Sequence, residues 1–470
     1  MNYQESVRAL FSLGRELASP RQPARIPSGA LGGTTSSATP VQKFGLENIR
    51  ILADDLGSPH LATPCAHIAG TNGKGSTAAM LESILRAAGL RTGLYTSPHL
   101  EVINERIRIG GENISDELFA DIWTRVRASI ESLMASGKLA AHPTFFECVT
   151  AMAFLAFADL HVDFAIYETG MGGRFDATNI VSPEVAVITP IDFDHENYLG
   201  HSIEEIAAEK AGIIKSGASV VSSVERPEAR AVIVARCNEV NARLVEVNSE
   251  WNLRDLQVSR GLYSAIAGSR RGLDNIRIAP SLPGRFQIQN ALAAVTAARL
   301  LADRGSAIGG EAIARGIATA YWPGRLERIS ERPDVYLDGT HNPAGARELL
   351  KFWEENFVDR GIFLVYGAMR DKAVDEIASL LFSHAEAIVF TEPRQTRAVS
   401  ASLLSEITGH FAKRALVIPD PHQALERAIE LASPEDAVFA TGSLYLVGDI
   451  RAFWRLRGDK RVVPGPPAAS

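Results

Sequence analysis

The sequence predicts an α/β protein in which a P-loop ATPase domain with a parallel sheet is followed by a smaller Rossmann-like α/β domain. Strand-like apolar segments alternate with segments of helical periodicity over most of the 470 residues, the pattern of a parallel sheet covered on both faces. A turn rich in glycine and lysine joins one such strand to a helix near residue 70, and a new series of alternating elements begins after Trp322. At about 150 residues per domain, this length suggests two or three domains.

Composition and charge narrow the class of protein. Hydrophobic residues make up 46% and charged residues 22% of the chain, which is typical of globular proteins. A net charge of −7 provides no overall positive field for nucleic acid or anionic lipid. Cys65, Cys148 and Cys237 lie far apart, which indicates buried thiols in a reducing compartment. Since neither a secretory signal nor an apolar run of about 18 residues is present, we expect a cytoplasmic protein without nucleic-acid or membrane partners.

The motif Gly70-Thr-Asn-Gly-Lys-Gly-Ser-Thr77 follows a predicted buried strand at 64–69 and precedes a helix predicted to begin at the last residue of the motif. Such a loop directs backbone N–H groups and a helix N-terminus toward a phosphate. Lys74 can reach the outer phosphates, and the hydroxyl of Ser76 or Thr77 can face the nucleotide or its Mg²⁺. The spacing departs from the common G-x4-G-K-[S/T] pattern because Gly75 separates Lys74 from Ser76. An ordinary βα turn is the alternative, but lysine, hydroxyls, strand and helix together favour a nucleotide.

Before this motif, helical periodicity covers residues 6–17 and 44–56, separated by a segment at 18–42 rich in Pro, Ser and Gly. That segment is either a loop over a binding site or a linker, and its composition favours the linker. In the rest of the first domain we predict strands at Thr92–Thr96, Val162–Tyr167, Val185–Thr189, Leu244–Val247 and Ile276–Ile278, and helices at Asp116–Ser136, Phe146–Leu160, Ile203–Ile214 and Phe286–Asp303. We expect Ser115 and Ser202 to cap two of these helices.

A second series of elements follows the break at Trp322-Pro-Gly324. Its predicted strands are Asp334–Leu337, Ile362–Tyr366, Ala387–Phe390, Ala415–Ile418 and Ala437–Ala440, with a helix at Ala344–Asn356. We therefore divide the chain into a first domain at 1–320, a second domain at 321–455 and a flexible, proline-rich tail at 456–470.

Polar residues follow several predicted strands, where ligands bind in open parallel sheets. Glu168 begins a glycine-rich loop and is placed to bind the cation that bridges nucleotide phosphates, although it can also cap a helix. Ser97 is equally well explained as a metal ligand or as the start of a turn. His195 can complete a metal shell, but a neutral histidine at a strand end is common. Lys210 belongs either to a solvated charged face or, if desolvated, to a site where its amine is nucleophilic.

Three residues in the second half of the chain, which can carry charge, are also candidates for the site. Asp338 and His341 lie between a predicted strand and a helix opened by Pro343, so they either meet a nucleotide bound between the domains or cap the helix. Arg325 lies at the domain junction, where a cation can neutralise the charge of a phosphoryl group in transfer.

Together these stretches resemble the folylpolyglutamate synthase/dihydrofolate synthase family, within the wider group of Mur-type ATP-dependent ligases. Motifs in the order of that family run from about residue 43 to residue 450. They are Gly70–Thr77, Thr96-Ser-Pro-His-Leu100, Asn104-Glu-Arg-Ile107, Glu168–Asn179, Asp194-His195, Glu209-Lys-Ala-Gly-Ile213, Gln289-Asn-Ala291, Arg325-Leu-Glu327, Leu337–Pro343 and Thr441-Gly-Ser-Leu-Tyr445.

The resemblance implies a role for each matching residue. The implied ATP-binding residues are Asn72, Gly73, Lys74, Gly75, Ser76, Asn290, Arg325 and Asp338. The implied Mg²⁺ ligands are Ser97, Glu168, His195 and Lys210, the last as a carbamate that helps to place a second Mg²⁺. The implied folate contacts are Thr144, Phe145, Phe146, Phe175, Asp176 and Ala177, with Phe145 or Phe146 stacking on the pterin ring. His341 and Ser443 match positions near the incoming glutamate, and the implied catalytic residues are Lys74, Glu168, His195, Lys210 and His341.

The implied reaction is ATP-dependent amide ligation through an acyl phosphate, with L-glutamate added to dihydropteroate, to folates or to both. We favour a bifunctional enzyme that acts as a monomer. A Mur-type ligase acting on a UDP-sugar peptide is disfavoured by the Gly75-Ser76 ending of the loop and by the lack of a separate UDP-binding domain. A non-catalytic ATP-binding regulatory protein is disfavoured because Lys74, Glu168, His195 and Lys210 occur together. The segment at 18–42 looks longer than the family usually has, and residues 144–148 lack the tyrosine of some members.

Overall fold

The computed structural model describes residues 1–14, 45–270 and 275–457, and the structural statements below refer to these residues. The predicted loop at 18–42, the end of the first predicted helix and most of the proposed tail lie outside them. None of the described helices is long and apolar enough to cross a membrane.

An eight-stranded sheet forms the centre of the first domain. Its strands are β1 (Cys65–Ala69), β2 (Thr92–Tyr95), β3 (Ile107–Ile109), β4 (Glu112–Asn113), β5 (Phe164–Glu168), β6 (Val185–Ile188), β7 (Ser219–Ser222) and β8 (Arg243–Glu246). They lie in the order β4-β3-β2-β5-β1-β6-β7-β8. The pairs β2–β3 and β3–β4 are antiparallel, and the other pairs are parallel. Because β1 lies between β5 and β6, the loops that follow these three strands emerge side by side at one edge.

Helices cover both faces of this sheet. They are α1 (Tyr3–Ser12), α2 (Glu47–Asp55), α3 (Lys74–Ala87), α4 (Asp116–Ala135), α5 (Phe145–Asp159), α6 (Glu196–Leu199), α7 (Ile203–Ala211), α8 (Pro227–Glu239), α9 (Val247–Glu250), α10 (Phe286–Asp303) and α11 (Gly310–Thr319). Short 3-10 turns occur at Pro59–Leu61, Ile103–Arg106 and Ala177–Ile180. Buried apolar residues of α3 and α10 belong to one core, and those of α4 and α5 belong to another. The predicted caps Ser115 and Ser202 are confirmed.

One helix start differs from the prediction. α3 begins at Lys74 instead of Thr77, because Gly73 takes a φ of +87° and the chain can enter the helix directly after it. The lysine of the motif is therefore the first residue of the helix and not part of the loop.

A three-stranded antiparallel sheet, which the sequence analysis did not predict, follows the eight-stranded sheet. It consists of β9 (Trp251–Ser259), β10 (Leu262–Ser269) and β11 (Asn275–Ile278), and the predicted strand at Ile276–Ile278 belongs to it. Trp251 anchors it to the first domain by donating to the hydroxyl of Thr296 on α10 at 2.9 Å.

A six-stranded sheet forms the second domain. Its strands are β12 (Glu327–Glu331), β13 (Asp334–Leu337), β14 (Ile362–Tyr366), β15 (Ala387–Phe390), β16 (Ala415–Val417) and β17 (Ala437–Thr441), in the order β12-β13-β17-β14-β15-β16. Only β12 runs antiparallel to its neighbour. The helices are α12 (Pro343–Asn356), α13 (Val374–Leu381), α14 (Ala401–Thr408), α15 (Pro421–Leu431) and α16 (Leu444–Leu456), with 3-10 turns at Phe382–His384 and Gly409–Phe411. The predicted fold class, a parallel-sheet domain followed by a second α/β domain, is confirmed.

The three-stranded sheet also contacts the second domain. The hydroxyl of Tyr263 on β10 donates to Glu355 of α12 and accepts from Nδ2 of Asn356 at 2.9 Å. Arg285, which precedes α10, lies 3.2 Å from the same glutamate.

Candidate active site

The phosphate loop lies between β1 and α3, directly against α10. Gly73 touches the side-chain amide of Asn290, so that any side chain at position 73 would collide with this amide. Asn290 donates to Gln287 at 2.9 Å, and Gln287 reaches the hydroxyl of Ser76 at 3.4 Å. The structure thus brings together three of the predicted ATP-binding residues, and it adds Gln287, which the sequence analysis did not single out.

Two lysines meet at one carbonyl oxygen of this loop. Nζ of Lys74 donates to the oxygen of Gly70 at 3.1 Å, and Nζ of Lys210 donates to the same atom at 2.8 Å. Burial lowers the pKa of Lys74, against the attraction of Glu168 and Asp194. Burial, together with the charge of Lys74, lowers the pKa of Lys210 to about 7. Lys210 is 4% exposed, so the solvated charged face that the sequence left open for it is wrong.

Glu168 ends β5 as a buried carboxylate close to Lys74 and Arg325. It accepts one weak hydrogen bond, from the backbone N–H of Ser97 at 3.3 Å. Burial raises its pKa to about 7, although Lys74, the Ser97 N–H and Arg325 act in the opposite direction. A carboxylate that remains this hard to ionise next to two cations is one that a bound cation would stabilise.

The donor set at this position suits Mg²⁺. Among the described residues, no three His, Cys, Asp or Glu side chains converge on one point. Mg²⁺ is usually held by one or two carboxylates together with waters and substrate phosphates. Glu168 and the hydroxyl of Ser97, next to a phosphate loop, provide that kind of site.

Asp194, in the loop after β6, collects side chains of the second domain. It accepts from Nζ of Lys372 at 2.8 Å and from Nδ2 of Asn342 at 3.1 Å, and its carboxylate lies 3.5 Å from Nε2 of His341. Burial alone would raise its pKa, but the hydrogen bond and charge of His341 and the charge of Lys372 outweigh it and hold the pKa well below the usual range. Asp194 is therefore an ionised contact between the domains.

The neighbouring His195 lies with Nε2 3.8 Å from the carboxylate of Asp194. Burial, with the charge of Lys372, lowers its pKa to about 4. The imidazole is consequently neutral at physiological pH, the form in which histidine ligates metals.

A pair of side-chain amides also joins the two domains. Asn72 of the phosphate loop donates to Asn342 at 3.1 Å, and Asn342 donates back to Asn72 at 3.0 Å. Asn342 also caps α12 by accepting from the N–H of Gly345 at 2.8 Å. The phosphate loop is therefore in direct contact with the first helix of the second domain.

The remaining predicted residues of the second half lie around the junction. The carboxylate of Asp338 accepts from the N–H groups of Leu326 at 2.9 Å and Thr340 at 3.0 Å, so it fixes the turn that carries Arg325. Burial lowers the pKa of Arg325, while the charges of Asp338 and Glu168 oppose the shift. Nδ1 of His341 donates to the carbonyl of Gly339 at 2.8 Å. Ser443, which is 2% exposed, caps α16 through the N–H of Tyr445.

Two of the predicted folate contacts are structural parts of α5. Thr144 caps this helix and shares reciprocal hydrogen bonds with Glu147. Phe145 is 3% exposed and stacks on Phe11 with ring centroids 5.7 Å apart, with the Arg106 guanidinium over its ring at 5.3 Å. Stacking of Phe145 on a ligand therefore requires displacement of a packed neighbour.

The other predicted folate contacts lie around the loop that follows Glu168. The ring of Phe146 contacts Gly170 of this loop, and Phe175 is 39% exposed. Asp176 accepts from the N–H groups of Gly170 at 2.8 Å, Met171 at 3.0 Å and Thr178 at 3.0 Å, and from the Thr178 hydroxyl. Ala177, also buried, begins the 3-10 turn that follows. The loop is thus clamped by Asp176 and has one aromatic ring beneath it and one exposed beside it.

A cavity lies between the domains next to Glu168. Its lining includes Ser97, Glu168, Arg325, Arg108 and Trp322, with Leu444 of the second domain. Arg108 and Trp322 were not predicted as site residues, since no motif or strand end marked them. Lys372 was also missed, although it follows the predicted strand β14 and the strand-end rule that selected Glu168 would have selected it as well.

Comparison with known proteins agrees with this geometry. Residues 68–298 match the model of the Mur ligase middle domain, and residues 324–444 match that of the Mur ligase glutamate ligase domain. The chain is 38% identical to the dihydrofolate synthase/folylpolyglutamate synthase of Bacillus subtilis over 87% of this chain and 94% of the relative. It is 34% identical to the Escherichia coli protein of the same name over 87% of this chain and 90% of the relative.

Solved structures give the same result. The structure of Mycobacterium tuberculosis folylpolyglutamate synthase complexed with ADP and AMPPCP superposes with a TM-score of 0.82 at 34% identity, over 88% of this chain and 96% of the other. That of E. coli FolC in complex with DHPP and ADP superposes with a TM-score of 0.80 at 29% identity, over 98% of this chain and 99% of the other. The phosphate loop, the buried Glu168 and Lys210 and the glutamate ligase domain therefore occur in a chain that belongs to the folylpolyglutamate synthase/dihydrofolate synthase family of Mur-type ligases.

Proposed function

We propose that this ATP-dependent ligase joins L-glutamate to the carboxylate of dihydropteroate and also extends reduced folates, so that it is both a dihydrofolate synthase and a folylpolyglutamate synthase. The observation that carries the proposal is the arrangement of Lys74, Lys210, Arg325 and Glu168 around one phosphate loop at the junction of two domains. Two cations, a buried amine and one carboxylate beside a helix N-terminus form a site for a polyphosphate and its metal ion.

In this mechanism the folate carboxylate attacks the γ-phosphorus of ATP, the bond to the β-phosphate oxygen breaks, and an acyl phosphate and ADP form. The amine of glutamate then attacks the acyl carbon and phosphate leaves. Lys74 and Arg325 offset negative charge on the phosphoryl group, and positioning supplies most of the rate enhancement. The amide pair of Asn72 and Asn342 and the contacts of Asp194 hold the domains together over the intermediate, which protects it from water.

Mg²⁺ bound by Ser97 and Glu168 would offset the charge of the β- and γ-phosphates. The neutral His195 and a modified Lys210 are our candidates for a second Mg²⁺ position. Lys210 supports this assignment because its amine is buried and its pKa is lowered to about 7, so that much of it is the free base that reacts with CO₂. A carbamate would convert Lys210 from a cation into an anionic oxygen ligand.

For the organic substrates we propose separate regions around the same cleft. Phe146, Phe175 and the loop held by Asp176 are our candidates for the pterin end of the folate, with Thr144, Phe145 and Ala177 supporting them from beneath. His341 and Ser443, on the second domain, are our candidates for the glutamate side. We keep the domain division at residues 320 and 321, with ATP contacts from Asn290 and Asp338 on either side of it.

We further propose that the enzyme works as a cytoplasmic monomer. Its three cysteines are buried and unbridged, which agrees with a reducing compartment.

The decisive experiment measures ADP release from purified protein with Mg–ATP and L-glutamate, and with dihydropteroate or tetrahydrofolate offered separately. We expect glutamate-dependent ADP release with each pterin. If only one pterin supports release, the enzyme is not bifunctional, and if neither does, the ligase proposal is wrong. A UDP-sugar peptide offered in place of the pterin tests the Mur-type alternative.

The carbamate on Lys210 can be tested without an activity assay. Protein equilibrated with ¹³C-bicarbonate at pH 8 should show a carbamate carbon signal by NMR that is absent from Lys210→Ala. Below pH 7 the amine is protonated and does not attack CO₂, so the signal should weaken at pH 6. If the wild-type and variant spectra are the same, there is no carbamate on Lys210. Acetate, which can replace the missing carboxylate, should partly restore activity to Lys210→Ala.

A further inference from the structure

The side chain of Arg108 on β3 makes no hydrogen bond and no ion pair with any residue that the structure describes. Its Nε is buried without a hydrogen-bond partner. By contrast, Arg451 and Arg328, which are also mostly buried, are each bound to carboxylates. Buried donors in native proteins nearly always have an acceptor, so an unsatisfied guanidinium indicates a missing ligand that carries lone pairs.

The position of this arginine is fixed by an aromatic ring that also touches the first turn of α3. Cζ of Arg108 lies 4.9 Å from the ring centroid of Trp322. Trp322 also packs on Gly75, where an added Cβ would lie 2.7 Å from the indole nitrogen. Stacking occupies one face of the guanidinium and leaves its N–H edges available. Arg108 is therefore one side chain away from the first turn of α3.

The cavity described above is the place where this arginine could bind such a ligand. Arg108 lines it together with Ser97, Glu168 and Arg325. The two carboxylates that attract Arg108 most strongly are already engaged. Glu105 accepts from three consecutive backbone N–H groups, and Glu82 accepts from Thr92 and pairs with Arg86. Neither of them satisfies the guanidinium.

We propose that Arg108 binds an oxyanion of the reacting groups in this cavity, either an oxygen of the γ-phosphoryl group or the folate carboxylate that attacks it. Phosphate and carboxylate share the geometry of two oxygens that a guanidinium edge binds in parallel. The attack brings two anions together, and a second arginine opposite Arg325 would offset their repulsion. Arg108 is in that case a catalytic residue of the proposed ligase reaction, and this inference rests on the proposed function.

The test compares Arg108→Gln and Arg108→Lys with wild type. Arg127→Gln is the matched control, because Arg127 is exposed and, among the residues that the structure describes, pairs with its helix neighbour Glu131 and with Met1. Calorimetry gives the affinities for Mg–AMPPCP and Mg–ADP, and steady-state kinetics give kcat and the KM for the pterin. We expect Arg108→Gln to lower kcat at least 100-fold. If the γ-phosphoryl group is the ligand, AMPPCP affinity falls at least tenfold and ADP affinity stays within twofold.

The second ligand gives a different pattern. If the carboxylate is bound, both nucleotide affinities stay within twofold and the KM for the pterin rises at least tenfold. In either case Arg108→Lys should recover part of the loss, since it keeps the charge but not the paired N–H groups.

The proposal is overturned if kcat, the KM and both affinities of Arg108→Gln stay within twofold of wild type. It is also overturned if Arg108→Gln and Arg108→Lys both show an equal fall in AMPPCP and ADP affinity and a lower melting temperature. That is the result expected of a purely structural role. If wild type releases no ADP with either pterin, the ligase proposal fails, and the difference between AMPPCP and ADP still decides whether Arg108 contacts a phosphoryl group.

Discussion

Replacement of Glu168 by Gln tests whether the buried carboxylate lowers the free energy of unfolding of the protein. Gln has nearly the same shape and can still accept from the N–H of Ser97, but it carries no charge. Burial raises the pKa of Glu168 to about 7 from its ordinary value of 4.5. The folded protein therefore resists ionisation of this group over that interval of pH.

The sign and size of the effect follow from linkage. Because the pKa is raised on folding, the ionisation of Glu168 does not reduce the free energy of unfolding below pH 4.5. It reduces this free energy progressively as the pH rises through 7. At 1.36 kcal/mol per pKa unit, removing the carboxylate should raise the free energy of unfolding by about 3 kcal/mol at pH 8 and by less than about 1 kcal/mol at pH 5. These values are upper limits, since Lys74 and Arg325 lose an attractive neighbour in the variant.

The assay is thermal unfolding without nucleotide at pH 5 and at pH 8, at a fixed scan rate. We expect Glu168→Gln to melt several degrees higher than wild type at pH 8 and almost together with it at pH 5. Addition of Mg–AMPPCP should stabilise wild type more than the variant, because the variant lacks the carboxylate that faces the metal. Glu131→Gln, at an exposed helix position, serves as the control and should follow wild type at both pH values.

A variant that melts at or below the wild-type temperature at pH 8 would refute this reasoning. So would a variant that gains as much stability from Mg–AMPPCP as wild type does, since Glu168 would then play no part in holding the cation.

Three further predictions follow from other contacts. Lys74→Ala should reduce kcat at least about 10²–10³-fold in the ADP-release assay while circular dichroism stays unchanged, because one phosphate-facing donor of the site is lost; near-normal turnover would disprove its role. Asp176→Ala should lower the melting temperature and raise the KM for the pterin more than that for ATP, since four hydrogen bonds to the loop after Glu168 disappear; equal rises in both KM values would contradict a role at the pterin end. Arg451→Gln should lower kcat several-fold. Arg451, in the second domain, binds Glu327 at 3.0 Å and also binds Glu101, which lies in the loop after Ser97. An unchanged kcat would show that the contact with Glu101 does not position this loop.

The phosphate loop and most of the buried strands were predicted because their signals are local, whereas β3, β4, β7 and β12 were not predicted. A run of apolar residues followed by glycines and a lysine specifies strand, turn and helix within about a dozen residues. The start of α3 was predicted three residues late, because the positive φ of Gly73 is not visible in an apolar pattern. The hairpin β9–β10 was missed because nearly all of β9 is exposed and its alternation of apolar and polar residues is interrupted at Arg254-Asp255.

The site was predicted residue by residue, but its connections between domains were not. Lys372 and Asp194 are 178 residues apart, and no local pattern relates them. Arg108 is invisible for another reason: its importance lies in the lack of a protein partner, which only the surrounding structure reveals. Likewise, the sequence could not decide between an exposed and a buried Lys210, and burial decides its chemistry.

The contacts of Asp194 have a consequence for the catalytic cycle. Lys372, His341 and Asn342 all reach this carboxylate from the second domain, so separation of the domains must break the three contacts together. Substrates and products can exchange only while these contacts are broken. Salt weakens the attraction between charges that become hydrated. Raising the ionic strength should therefore accelerate product release more than it accelerates the chemical step. In the proposed mechanism, the same carboxylate that helps to keep water from the intermediate would also set how often the cleft opens.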